Sequence, residues 1–150
     1  MLKLTTGSPK ETRALGGIFG QTIRPGTVLF LRGDLGSGKT VFVKGLARAL
    51  GVTGRIKSPS FGILQSYPAQ RGSPRSGGAG KVKRLHHLDL YRLQSGRELA
   101  ELGFHELLRD QAAVVAVEWP DKARRLLTDN TISIKFSHGK LPHERIIHVA

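Results

Sequence analysis

Apolar positions along the chain fall into short blocks that alternate between strand-like runs and helical spacing. Leu2 to Thr5 predicts a short strand. Ser8-Pro9-Lys10-Glu11 is a capping box with proline at the first helical position, which predicts a helix from Pro9 to about Gln21. Thr27 to Arg32 is apolar and β-branched, is bounded by Pro25-Gly26, and reads as a buried strand. From Val41 to Leu50 the apolar residues take helical spacing, with Gly51 placed to cap the end. Lys57 to Phe61 reads as a loop, because Pro59 keeps its predecessor out of the helical region, and it leads into a strand from Gly62 to Tyr67.

Ala69 to Gly80 has no apolar periodicity and too little to bury, which predicts a mobile basic loop inserted between two hairpin strands. The return strand, Val82 to Asp89, alternates imperfectly and is the more polar one. Its adjacent histidines, His86 and His87, must point to opposite faces, so they are expected to be solvated or hydrogen-bonded rather than joint ligands of one metal. Leu99 to Leu108 is acidic and amphipathic, helical in spacing but interrupted at Gly103. Ala112 to Glu118 is continuously apolar, a strand covered on both faces that ends in a carboxylate. Asp121 to Leu127 predicts a short helix, and Thr131 to Phe136 pairs with Arg145 to Val149 as closing strands. The expectation is one α/β domain over residues 1–150, with a mostly parallel central sheet and antiparallel flanking strands.

Between the strand at Thr27 and the helix at Val41 lies Gly33-Asp34-Leu35-Gly36-Ser37-Gly38-Lys39-Thr40, the phosphate-binding pattern G-x-x-x-x-G-K-[ST] in its proper strand–loop–helix setting. Each residue type has a physical reason. The glycines let the backbone wind tightly and turn successive N–H groups toward phosphate oxygens, and the helix N-terminus adds its dipole. Lys39 reaches the β- and γ-phosphates and Thr40 offers a hydroxyl to Mg²⁺, so the segment predicts a P-loop NTPase domain with ATP and Mg²⁺ as its cofactors. Glu11, Thr12 and the closing strands are candidates for contacting the base.

Composition narrows the setting. The chain has 150 residues and no cysteine, and it shows neither a membrane-length apolar stretch nor an apolar leader, so a cytoplasmic protein without membrane attachment is expected. The formal net charge is +13, and it is unevenly placed. Between Leu35 and Leu88 there is no acidic residue, whereas Lys39, Lys44, Arg48, Arg55, Lys57, Arg71, Arg75, Lys81, Lys83 and Arg84 all fall there. Such a surface steers nucleotide, RNA or an acidic protein, or it is a solvated basic face, since no aromatic residues are interleaved for base stacking.

A P-loop site also needs a carboxylate near its metal and a group that orients the attacking atom. Glu118, at the end of the buried strand, is the metal-side candidate with Thr40, because a charge there is costly unless paired or close to a cation. Asp89, in His87-Leu-Asp-Leu-Tyr-Arg92, is the other, with a turn cap or an Arg92 partner as its structural reading.

Taken in order, the P-loop, Lys57-Ser-Pro-Ser-Phe61, His87-Leu-Asp-Leu-Tyr-Arg92 and Val117-Glu-Trp-Pro120 resemble the TsaE family over roughly residues 1 to 135. The resemblance implies an ATPase of tRNA threonylcarbamoyladenosine biosynthesis, weak alone, that binds the TsaB/TsaD pair and supports its turnover, with tRNA reached through that complex. It implies phosphate and Mg²⁺ binding by Lys39 and Thr40, a metal-linked Glu118, a switch-like loop at Ser58 to Phe61, a hydrolytic role for Asp89, with Lys39 also catalytic, and Trp119 near the nucleotide. The family commonly has threonine where this chain has Ser60, and it assigns no role to the basic Ala69 to Gly80 insertion. Two other readings of the residues stand beside it. A small-molecule P-loop kinase would need an acceptor segment and lid arginines, for which Arg71 and Arg75 are the candidates. A basic RNA-binding module would hold nucleotide as a structural ligand.

Overall fold

The computed structural model describes residues 1–59, 63–70, 81–126 and 128–150. The first strand, β1 (Leu2–Thr6), runs into α1 (Pro9–Thr22), which begins at the expected capping box. Ser8 Oγ accepts from the Glu11 N–H at 3.2 Å, and the Glu11 carboxylate accepts from the Gly7 N–H at 2.9 Å. There follow β2 (Val28–Arg32), α2 (Lys39–Ala49), β3 (Leu64–Pro68), β4 (Arg84–Asp89), α3 (Gly96–Glu101), α4 (Phe104–Arg109), β5 (Ala113–Glu118), a 3₁₀ helix (Pro120–Leu126), β6 (Thr131–His138) and β7 (Arg145–Val149).

The seven strands form one sheet in the order β1-β7-β6-β2-β5-β4-β3. The central strands β6, β2, β5 and β4 are mutually parallel, while β7 and β1 on one flank and β3 on the other are antiparallel. This is the predicted α/β class with its parallel centre. Alternation along β2 sorts the core into two layers. Leu29 and Leu31 pack with Phe42, Val43 and Leu46 of α2, whereas Val28 and Phe30 pack with Leu99, Phe104 and Leu108 of α3 and α4. Such two-sided cover is why β2 and β5 read as unbroken apolar runs.

Helices α1 and α2 approach so closely that glycine is required where they touch. A methyl group on Gly16 would lie 2.0 Å from the Phe42 carbonyl oxygen, and one on Gly45 would lie 1.9 Å from that of Arg13. The contact presses α2, and hence the P-loop at its N-terminus, against a fixed support.

Several boundaries differ from the sequence expectation. The amphipathic stretch is two short helices, the first starting at Gly96; Gly103, at φ 67°, separates them and precedes α4. The helix expected at Asp121 is the 3₁₀ segment starting at Pro120, and Leu127 lies outside the described residues. Strand β4 is polar in composition, as expected, but not exposed: Leu85 to Leu88 are all buried, with Leu85 in the layer that holds α2 and Leu88 in the layer that holds α3 and α4. The expected hairpin is present as β3–β4, closed by the Ala69 N–H donating to the Lys83 carbonyl at 2.9 Å. Residues 71–80 of the expected mobile insertion, with Arg71 and Arg75, and Ser60 to Gly62 lie outside the described residues.

Candidate functional site: a P-loop cleft

The parallel strands β2, β5 and β4 end side by side, and their carboxyl edges carry the site, as open α/β sheets generally arrange it. The chain leaves β2 at Arg32, turns through Gly33 to Gly38, and enters α2 at Lys39. At Gly33 (φ 142°) a side chain is impossible, since its Cβ would sit 2.3 Å from the Phe136 carbonyl oxygen. Gly38, left-handed at φ 102°, sets the first turn of α2, and its carbonyl accepts from the Phe42 N–H at 2.9 Å. Two distant residues brace the loop from outside. Arg145 donates to the Gly36 carbonyl at 3.1 Å, and His138 Nε2 lies 3.4 Å from that of Leu35.

A cleft of about 430 Å³ opens above the loop, lined by Leu35 to Val41 together with Ser58, Asp89, Tyr91, Arg92, Glu118 and Trp119. Of the expected phosphate-loop residues, Gly33 and Asp34 stand behind this lining, where their carbonyls accept from Lys39 Nζ at 2.7 and 2.8 Å. Ser37 Oγ lies 3.4 Å from the same ammonium. Lys39 is almost fully buried, and burial pushes its ammonium below the usual lysine range; the charges of Glu118, Asp89 and Asp34 work in the opposite direction. Its Nζ also lies 4.3 Å from the centroid of the Trp119 ring, whose other neighbour is Tyr91 at 4.8 Å between centroids. Trp119 adopts φ 57°, a conformation a bulky residue holds only when its surroundings fix it, and its N–H is tied to the Leu31 carbonyl at 3.2 Å.

Both candidate carboxylates reach the cleft. Asp89 ends β4 and Glu118 ends β5, and the two are register partners on adjacent parallel strands. Their settings differ. Glu118 is buried, and its Oε1 accepts from the Thr40 hydroxyl at 2.9 Å. Asp89 is half-buried, and its Oδ1 accepts from the Tyr91 N–H at 3.0 Å, the turn cap that its sequence context allows.

His86 and His87 point to opposite faces and are hydrogen-bonded, as expected, and both are buried. His86 sits away from the cleft, with Nδ1 2.7 Å from Ser66 Oγ and Nε2 3.4 Å from Asp110. Burial alone would raise the Asp110 carboxyl, but hydrogen bonds from the Ala112 N–H, Arg84 and His86 outweigh it and hold it below the usual range. His87 Nε2 lies 2.8 Å from Glu118 Oε1. That contact, like the Arg145 and His138 braces, escaped sequence reasoning. It joins neighbouring strands through residues 31 positions apart, each inside a local motif but with nothing in either motif that pairs them. Of the base-contact candidates, Thr12 lines a narrow cleft of about 50 Å³ on the outer side of Gly36 and Gly38, with His143 and Arg145 from the closing strands' region, whereas Glu11 is engaged in the capping box.

Fold and site together define a P-loop protein of the α/β class. A family model described as threonylcarbamoyl adenosine biosynthesis protein TsaE matches residues 6–147. A Bacillus subtilis (strain 168) protein named tRNA threonylcarbamoyladenosine biosynthesis protein TsaE is 37% identical over 133 residues, 89% of this chain and 75% of that protein. The protein of the same name from Treponema pallidum (strain Nichols) is 32% identical over 133 residues, 89% of each chain. The crystal structure of Bacillus subtilis YdiB is similar at a TM-score of 0.69 and 32% identity, over 97% of this chain and 82% of that one. The chain belongs to the TsaE family, whose members are proteins of tRNA threonylcarbamoyladenosine biosynthesis. No helix among the described residues is long and apolar enough to cross a membrane.

Proposed function

We propose that the chain binds ATP with Mg²⁺ at the P-loop cleft and hydrolyses it, slowly alone and faster with the TsaB/TsaD pair whose turnover it supports. The observation that carries this reading is the convergence of Lys39, Thr40, Asp89 and Glu118 on one cleft at the carboxyl edges of β2, β4 and β5. The donor set suits the group: backbone N–H groups at the start of α2 and a lysine ammonium for phosphate oxygens, and a hydroxyl with carboxylates for a hard cation. Bound Mg²⁺ would offset charge developing on the phosphate oxygens. Lys39 would turn its N–H donors from the Gly33 and Asp34 carbonyls to the phosphates, Thr40 and Glu118 would hold the cation, and Asp89 would accept a proton from the attacking water. Trp119 and Tyr91 wall the cleft beside Lys39 and limit water around its ammonium.

The test is phosphate release by the chain alone and by the chain co-purified with TsaB and TsaD. A clear acceleration by the pair is expected. Stimulation by a metabolite instead would favour the small-molecule kinase, and stimulation by tRNA alone the RNA-binding module.

The basic character of the chain has a definite place outside this cleft. Lys10, Arg13, Lys44, Arg48 and Arg55 line two adjoining clefts on the α1–α2 face, and none of them forms an ion pair among the described residues. If tRNA phosphates lie along this face in the assembled complex, tRNA affinity should fall steeply with salt, and the double change Arg13→Glu with Arg48→Glu should flatten that slope by roughly two counterions. ATP hydrolysis should be unaffected, since this face shares no residue with the P-loop cleft. An unchanged salt slope would leave the face a solvated one.

A further inference from the structure

We infer that His87 is a positioning residue that fixes the Glu118 carboxylate and, through it, the hydroxyl of Thr40. The inference rests on the reading of the cleft as a Mg²⁺–nucleotide site. His87 lies two residues before Asp89 on β4, so both side chains project to the face that Glu118 shares on β5. It is fully buried, and its Nε2 lies 2.8 Å from Glu118 Oε1. The Thr40 hydroxyl donates to the same oxygen at 2.9 Å. One carboxylate oxygen is therefore held by donors from two different elements, the strand β4 and the helix α2.

The hydrogen-bond chemistry fixes the arrangement further. An ionised carboxylate only accepts, so His87 donates from Nε2. Its Nδ1 is buried with no partner among the described residues, so the bond at Nε2 is the one that holds the ring in place. A hydroxyl has one proton and two lone pairs. With its proton directed at Glu118, Thr40 keeps both lone pairs for a cation. A wholly buried imidazole with one bare nitrogen is a costly residue between the buried leucines Leu85 and Leu88, and core packing alone would be served better by an apolar side chain. Its single bond to Glu118 is what the position gains. Groups that orient metal ligands from behind typically cost 10- to 100-fold in metal affinity when removed, so an effect of about that size is expected here.

The test uses the full chain and its only tryptophan, Trp119, as a fluorescence reporter in the cleft wall. ADP affinity is measured in Mg²⁺-free buffer, and the Mg²⁺ concentration giving half of the Mg²⁺-dependent tightening is measured for wild type, His87→Leu, His87→Gln and His87→Asn. His87→Leu should bind Mg²⁺-free ADP as wild type does, yet need at least about tenfold more Mg²⁺. A glutamine amide reaches the position of the imidazole Nε2 and should restore the wild-type requirement, whereas the shorter asparagine should not. A folded His87→Leu protein with the wild-type Mg²⁺ requirement would overturn the inference. If that variant does not fold, the comparison of glutamine with asparagine decides, and equal behaviour of the two would overturn it as well. Wild-type protein whose ADP affinity has no Mg²⁺ dependence would overturn the reading of the cleft itself, and the inference with it.

Discussion

Replacing Lys39 or Thr40 by alanine should lower ATP hydrolysis by about a hundredfold or more, the scale seen when a single group is removed from developing charge in a preorganised site, while the thermal melting of the protein stays close to wild type. The first half follows from position. Both side chains line the cleft at the start of α2, and these are the residues with an ammonium and a hydroxyl to direct at a phosphate and its cation. The second half follows from what each leaves behind. Without Lys39, the carbonyls of Gly33 and Asp34 lose a donor, but truncation to alanine vacates the space of the lysine side chain, which opens onto the cleft and admits water to replace it. The ammonium itself is held below its usual pKa by burial, so its removal also relieves a desolvated charge. Without the Thr40 hydroxyl, Glu118 still keeps its His87 contact. Phosphate release and a melting curve on the same preparations check both halves, and near-normal turnover in either variant would defeat the assignment of the cleft.

How far the sequence reaches is clear from particular residues. The P-loop could be read because its chemistry is local: three glycines, a lysine and a threonine at fixed spacing between a strand and a helix define their own geometry. Glu118 was legible for a related reason, since a carboxylate closing an apolar run implies a strand end with a purpose. The parallel centre of the sheet followed from alternation of such runs with helical spacing. The burial of β4 was not legible, because adjacent histidines in a sequence fit a solvated strand as well as a hydrogen-bonded one, and only their partners, Ser66 and Asp110 for His86 and Glu118 for His87, make burial tolerable. The two glycine contacts between α1 and α2 were invisible, since a glycine within a helix reads simply as a weak helix former until a second backbone is placed against it. The braces from Arg145 and His138 join residues more than a hundred positions apart. Periodicity carries no information at that range.

The neighbouring carboxylates should separate cleanly under mutation, although they are register partners on adjacent strands. Glu118→Ala is expected to weaken Mg²⁺-dependent nucleotide binding by roughly 10- to 100-fold, because it removes the acceptor that holds the Thr40 hydroxyl and leaves buried His87 without its partner. Asp89→Ala should change affinity little and slow hydrolysis by about 10²- to 10⁴-fold, the usual contribution of a positioned proton acceptor. The contrast is set by surroundings rather than by residue type. Glu118 is buried and its Oε1 is committed to the hydroxyl on the cation side, which suits a ligand that must stay charged and fixed. Asp89 is half-buried, lines the cleft and accepts from the Tyr91 N–H within its own turn, whereas the Thr40 hydroxyl is directed at Glu118. Loss of its charge also removes one of the attractions acting on the Lys39 ammonium, but a smaller one than that of Glu118. Titration of nucleotide with and without Mg²⁺, alongside single-turnover hydrolysis, resolves the two effects. Equal losses of affinity in both variants would mean that the carboxylates act as one cation-binding pair, and the division of labour between them would fall.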